Sequence, residues 1–148
     1  MAVALDAARL SASRGEVPVG AVIVKGNEIV SVKGNAREET NDPTAHAEIL
    51  AIREAAERLS SWRLLGTILY VTLEPCPMCA GAIIQARIPL LVFGARDPKA
   101  GACGSVVNLL PADGDRLFGH KVNVIEGIME EECRALLSTF FEERRAQR

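Results

Sequence analysis

Three side chains in this sequence are natural ligands for a soft or borderline metal ion: His46, Cys76 and Cys79. Imidazole nitrogen and thiolate sulfur are preferred by zinc, and a C-x-x-C pair at the start of a helix can aim two sulfurs at one point. A helix N-terminus also lowers thiol pKa and so favours the thiolate that binds metal. The remaining histidine is His120, and Cys103 and Cys133 have no ligand spacing. Three protein ligands leave one corner of a tetrahedron for water, the arrangement of catalytic zinc; structural sites are closed by four. Zinc lowers the pKa of a bound water from about 16 to about 7.

Glu48 follows His46 by two residues, near the start of the same helix. A carboxylate beside such a water can accept its proton and return it to a substrate, which is general acid–base work. Taken alone, Glu48 could be no more than a favourable charge in a first helical turn, worth about 0.3–1 kcal/mol. Taken alone, Cys76 and Cys79 could be a redox pair, although Glu74-Pro75 precedes them in place of an aromatic-glycine lead-in. H-x-E upstream and P-C-x-x-C downstream together form a far more specific pattern.

These residues need a frame to bring them together. Residues 2–13 are rich in Ala and Leu and suit a helix, which Pro18 cannot continue. Val19 to Lys25 is almost wholly apolar, Gly26-Asn27 signals a turn, and Glu28 to Lys33 alternates, so the segment reads as a hairpin. A polar loop is expected from Gly34 to Pro43. From Thr44, residues Ile49, Ile52, Ala56 and Leu59 recur at helical spacing. Leu69-Tyr70-Val71 belongs to a buried strand, Pro77 opens a helix to about Arg87, and Leu90 to Phe93 forms another strand. A Gly-rich segment follows from Gly94 to Gly119, then a strand from Val122 to Ile125. Met129, Cys133, Leu136, Leu137, Phe140 and Phe141 trace one face of a last helix, with Cys133 a small core residue. The order α-β-β-α-β-α-β-(loop)-β-α implies one α/β domain over residues 1–148, a sheet with helices on its faces.

Bulk composition narrows the class. A hydrophobic share of 49% and a charged share of 24% are ordinary for a soluble globular chain. No apolar run approaches the roughly 20 residues that span a bilayer, and the first residues lack a signal-peptide layout, so a cytoplasmic protein is expected. Free thiols rather than disulfides suit that compartment. The formal net charge of −2 gives no general sign of a nucleic-acid partner. Basic residues do cluster locally, at Arg96 and Lys99 and again at Arg144, Arg145 and Arg148; solvated helix ends and loops show the same clustering.

The segments His46-Ala47-Glu48 and Pro75-Cys76-Pro77-Met78-Cys79 resemble the metal motif of the cytidine-deaminase superfamily. Further segments are similar to the bacterial tRNA adenosine deaminases in particular: Glu16-Val17-Pro18-Val19-Gly20-Ala21, Asn35, Asp42-Pro43-Thr44-Ala45, Leu69 to Glu74, Ala80-Gly81-Ala82-Ile83 and Phe93 to Lys99. This likeness runs from about Arg9 to Arg145. It implies a three-layer α/β/α fold around a mixed five-stranded sheet, one zinc per chain, a homodimer, and the wobble adenosine of a tRNA anticodon stem-loop as substrate. By matching positions it implies zinc on His46, Cys76 and Cys79, proton transfer by Glu48, and a base pocket lined by Val17, Pro18 and Asn35. Arg96, Asp97 and Lys99 would lie beside flanking nucleotides, and Phe141, Arg144 and Arg145 would meet the anticodon loop. Phe141 also continues the apolar stripe and fits a core position equally well. Gly119-His120-Lys121-Val122 departs from the family's usual Asn-His-Arg-Val. A deaminase of a free base or nucleoside, of guanine or cytosine type, would carry the same zinc motif. So would a non-catalytic zinc protein, if a fourth protein ligand closed its site.

Overall fold

The computed structural model describes residues 1–112 and 117–148. Five strands form one sheet in the order β2-β1-β3-β4-β5: β1 (Gly20–Lys25), β2 (Glu28–Gly34), β3 (Thr67–Leu73), β4 (Leu90–Ala95) and β5 (Asn123–Ile125). Strand β1 runs antiparallel to both neighbours, whereas β3, β4 and β5 pair in parallel. Reversal across β1 on both sides means that β2 points the same way as β3, β4 and β5. Four strands therefore present their carboxyl ends along one edge.

Period-two alternation decides which side chains face which helices. Ala21 and Ile23 on β1, Leu69 and Val71 on β3, and Leu91 and Phe93 on β4 are fully buried in one cluster. Ala47, Ala51 and Ala55 of α3 (Ala47–Arg58) and Ala80, Ile83 and Ile84 of α4 (Pro77–Gln85) belong to the same cluster. The opposite face takes α1 (Ala2–Ser13) and α5 (Glu130–Ala146), with Leu5, Ala95 and Cys133 packed together. The architecture is the expected three-layer α/β/α sandwich around a mixed sheet. At Gly94 in β4 an added Cβ would lie 2.4 Å from Cys133 Sγ and 2.8 Å from the Thr72 carbonyl oxygen. A residue without a side chain is what lets α5 approach this strand, and it fixes Cys133 as a core residue.

The polar segment after β2 is not wholly a loop. Arg37–Thr40 form a single-turn helix, α2, whose Glu38 N–H donates to both carboxylate oxygens of Glu16 at 2.6 and 3.1 Å. Four residues are too few to leave a periodic signal, and the group that stabilises them lies twenty-two residues away. The Gly-rich segment 94–119 carries a 3₁₀ turn at Leu117–Gly119. Its residues 113–116 lie outside the described part of the chain. Met129 stands before α5 as its N-cap and is exposed, as is Phe141, so the buried face of that helix is narrower than the six-residue stripe suggests.

Candidate metal centre and active site

His46 and Cys76 occupy the same kind of position: each is the N-cap residue of a helix, α3 and α4 respectively. Both adopt extended backbone, φ −72° and ψ 149° for His46, φ −75° and ψ 174° for Cys76. Neither side chain caps its own helix. Other groups make the local bonds that free them. Asn35, just beyond β2, receives the Ala47 N–H on its Oδ1 at 2.7 Å, so the start of α3 is capped from outside. Pro77 at the first position of α4 has no N–H to satisfy. The two ligand side chains are thereby left to point at each other.

His46 Nδ1 lies 3.6 Å from Cys76 Sγ and 3.5 Å from Cys79 Sγ. A tetrahedral zinc with Zn–S near 2.3 Å and Zn–N near 2.0–2.1 Å requires N···S separations of about 3.6 Å. Both N···S separations match that geometry. All three ligand atoms lie within 4.8 Å of one another, and among the described residues no fourth His, Cys, Asp or Glu joins the group. His120 instead places Nε2 3.0 Å from the Ile88 carbonyl oxygen. Cys133 is in the core, and Cys103 lies on the loop after β4.

The three side chains share protons: one thiol is favoured as thiolate while its neighbours hold the protons that a metal ion would displace. The Cys76 thiol is drawn down to about 4, foremost by the hydrogen bond that Cys79 donates to it and then by His46, against the opposing effect of burial. Cys79 moves up because it donates that bond and because it is buried. His46 is raised, chiefly through its hydrogen bond with Cys76. Glu48 is 4% exposed, and burial pushes its carboxyl above the ordinary range. The Cys79 thiol is close enough to temper that rise, as is His46.

The other expected site residues fall into three places. Val17 and Asn35 line one small cleft of about 90 Å³ together with Glu16, Arg37 and Arg144, and Pro18 is buried beside it. Arg96, Asp97 and Lys99 leave the carboxyl end of β4. Asp97 Oδ1 accepts from the Lys99 and Ala100 N–H groups at 3.0 and 3.3 Å, and Arg96 pairs with Glu126 at 2.7 Å on the surface. Phe141, Arg144 and Arg145 lie on the last turns of α5. Phe141 is 43% exposed, which overturns the core alternative; its ring meets Phe140 edge-on at 5.5 Å. Arg144 donates to the Gly15 carbonyl and covers the Phe140 ring at 4.9 Å, which joins the end of α5 to the turn before β1. A larger cleft of about 320 Å³ between α1 and α5 takes no side chain from the ligand set.

Two buried carboxylates beside the site escaped the sequence reading, Glu16 and Glu74, at 1% and 2% exposure. Glu16 accepts from the Glu38 N–H of α2, and Glu74 accepts from three backbone N–H groups of the loop after β4. The available signal was an acid standing next to apolar strand residues, at Glu74 just after Leu73.

Comparison with known proteins is consistent along the whole chain. A family model described as MafB19-like deaminase matches residues 1–145. The tRNA-specific adenosine deaminase of Bacillus subtilis (strain 168) is 48% identical, covering 98% of this chain and 88% of the relative. That of Haemophilus influenzae is 46% identical, covering 100% and 84%. A solved structure from studies of A-to-I editing by tRNA:A34 deaminases at the wobble position superposes with a TM-score of 0.86 and 47% identity, covering 93% of this chain and 97% of the other. Matched over almost its full length by that model, and nearly half identical to those relatives, this chain belongs to the MafB19-like deaminases, in the group formed by the tRNA-specific adenosine deaminases.

Proposed function

We propose that this protein is a zinc-dependent hydrolase that converts adenosine to inosine at the wobble position of a tRNA anticodon. The observation that carries the reading is the three-ligand set His46, Cys76 and Cys79, spaced for tetrahedral zinc, with the buried carboxyl of Glu48 against it. The near-half identity to tRNA-specific adenosine deaminases supports the choice of substrate. Four free cysteines suit the reducing cytoplasm, where such a substrate is met.

When bound by His46, Cys76 and Cys79, zinc supplies a Lewis acid that brings the pKa of water to about 7. Glu48 takes one proton from the attacking water and gives it to the purine ring nitrogen, then takes the second from the new C6 hydroxyl and gives it to the departing amino group. The new C6–O bond replaces the C6–N bond, ammonia leaves, and inosine remains. A carboxyl whose burial favours the protonated form is suited to holding that proton between transfers. With its Oδ1 already committed to Ala47, Asn35 keeps its amide nitrogen to donate to the base, and Val17 and Pro18 supply the apolar wall. Around this pocket, exposed Phe141 offers a stacking face, worth about 1–3 kcal/mol per base. Arg144, Arg145 and Lys99 offer phosphate contacts. Arg96 joins them by leaving Glu126, since an exposed ion pair contributes only about 0–1 kcal/mol. Asp97 is an acid among these cations and reads best as an acceptor for a 2′-hydroxyl, the group by which proteins tell RNA from DNA. Two chains pair in this reading, covering apolar side chains near the site: Met78 on α4, and Val106 and Val107 on the loop that Ala102 ties to Pro75.

Glu48→Ala is expected to keep zinc and the thermal transition but to lose about 10²–10⁴-fold in turnover, measured as ammonia release beside metal analysis. Near-normal turnover would assign the proton work elsewhere. An RNA hairpin with adenosine at the wobble position is expected to be deaminated with a much higher specificity constant than free adenosine, guanine or cytosine. Arg144→Ala with Arg145→Ala should weaken hairpin binding and flatten its log–log salt slope by roughly 0.7 per lost phosphate contact. A free base as the best substrate, with no effect of the arginine changes, would reject the tRNA assignment and leave the zinc site standing. Sedimentation at micromolar concentration is expected to show a dimer, and a monomer alone would contradict the pairing.

A further inference from the structure

Glu74 stands at the junction of β3 and the metal-binding turn, two residues before Cys76. Its backbone N–H extends the β3–β4 ladder by donating to the Ala95 carbonyl at 2.8 Å. Its side chain is almost fully buried, yet among the described residues no Lys or Arg pairs with it. Four donors take the place of a cation, and all four come from one loop. Oε1 accepts from the Asp97 N–H at 3.1 Å and from the Ser105 hydroxyl; Oε2 accepts from the N–H groups of Cys103 at 2.9 Å and Ser105 at 3.2 Å. Gly101 lies flat against the same carboxylate, where an added Cβ would come within 2.4 Å of its Cδ and Oε2. The neighbouring Pro75 carbonyl receives the Ala102 N–H at 2.8 Å. Residues 74 and 75 thus grip the loop from Asp97 to Ser105 at five points, immediately before the first cysteine ligand.

Asp97 itself has little local freedom. Its side chain closes its own turn through Lys99 and Ala100, and its carbonyl accepts from Gly101 N–H at 2.9 Å. The turn is closed by its own hydrogen bonds, and it hangs from Glu74. We infer that Glu74 is a positioning residue for substrate selection: it acts through Asp97 to hold the ribose-reading carboxylate in fixed register with the metal ligands. The inference rests on the proposed reading of Asp97 as the acceptor for the 2′-hydroxyl of the target nucleotide.

Substituting Gln preserves the shape of Glu74 but turns one acceptor oxygen into a donor. A Gln oxygen can still accept from Cys103 and Ser105 N–H, and its amide can donate to the Ser105 hydroxyl. The Asp97 N–H then faces another N–H. Glu74→Gln therefore strains the Asp97 end of the loop selectively.

The test uses the zinc-loaded enzyme and two hairpins that differ only in ribose or 2′-deoxyribose at the target adenosine. The readout is the ratio of their kcat/KM values, with zinc content and amide hydrogen exchange of residues 97–105 measured on the same preparations. Asp97→Asn and Glu74→Gln are each expected to lower the ratio by roughly tenfold or more, the scale of a lost hydrogen bond to a charged group. The double variant should fall no further than Asp97→Asn, because both act on one contact. Ser105→Ala should lower the ratio in part and Ser105→Thr restore it; these two carry the test if Glu74→Gln does not fold. A purely structural Glu74 makes a different forecast, an equal loss on both hairpins with the ratio unchanged, and that result overturns the inference. A wild-type ratio near one rejects the Asp97 reading and this inference with it. A high wild-type ratio that survives Glu74→Gln and Ser105→Ala rejects this inference alone.

Discussion

Two helix N-termini meet at one point in this protein, and most of the site's properties come from that meeting. A helix start exposes N–H groups and the positive end of a dipole, and both favour negative charge. Here α3 and α4 bring His46 and Cys76 as N-cap residues, Glu48 one position beyond the start of α3, and Cys79 within the first turn of α4. The field of both helices favours thiolates and a carboxylate in a place where burial alone would penalise charge. An N-cap side chain ordinarily spends its hydrogen bond on its own helix. These two do not; the first N–H of α3 is taken by Asn35, and α4 lacks one at that position because it begins with Pro77. The ligands are available because other residues do the capping.

The sheet makes the meeting possible. With β2, β3, β4 and β5 all pointing one way, the segments that follow them emerge along a single edge. Asn35 follows β2, Glu74 to Cys76 follow β3, Arg96 and Asp97 follow β4, and Glu126 follows β5. Open α/β sheets bind ligands outside the carboxyl ends of their strands for this reason. The antiparallel β1 is the exception that lets a short hairpin start the fold while keeping β2 in the common direction. Buried carboxylates then fix the loops on that edge: Glu16 holds α2, and Glu74 holds the loop from Asp97 to Ser105.

What could be read beforehand had local causes. His46, Cys76 and Cys79 were legible because metal coordination demands particular atoms at short spacings. The helices and strands were legible because each carries its own period, and Pro77 marks a helix start wherever it falls. The rest depended on partners far along the chain. Nothing near Arg37 announces a helical turn, because the carboxylate that stabilises it belongs to Glu16. Nothing near Glu74 reveals that it answers Cys103 and Ser105, some thirty residues on. Phe141 fitted a core position as well as an exposed one because periodicity counts apolar residues without knowing which of them the sheet covers; Phe140 is buried, whereas Phe141 beside it is exposed.

The proposed catalysis depends on a zinc ion held by three protein ligands with its fourth position open. X-ray absorption at the zinc edge on the purified, unsubstituted protein tests this most directly. Two sulfurs near 2.3 Å and two lighter atoms near 2.0–2.1 Å are expected, one from His46 and one from water. A third sulfur in the shell, or protein that holds no zinc, would contradict it.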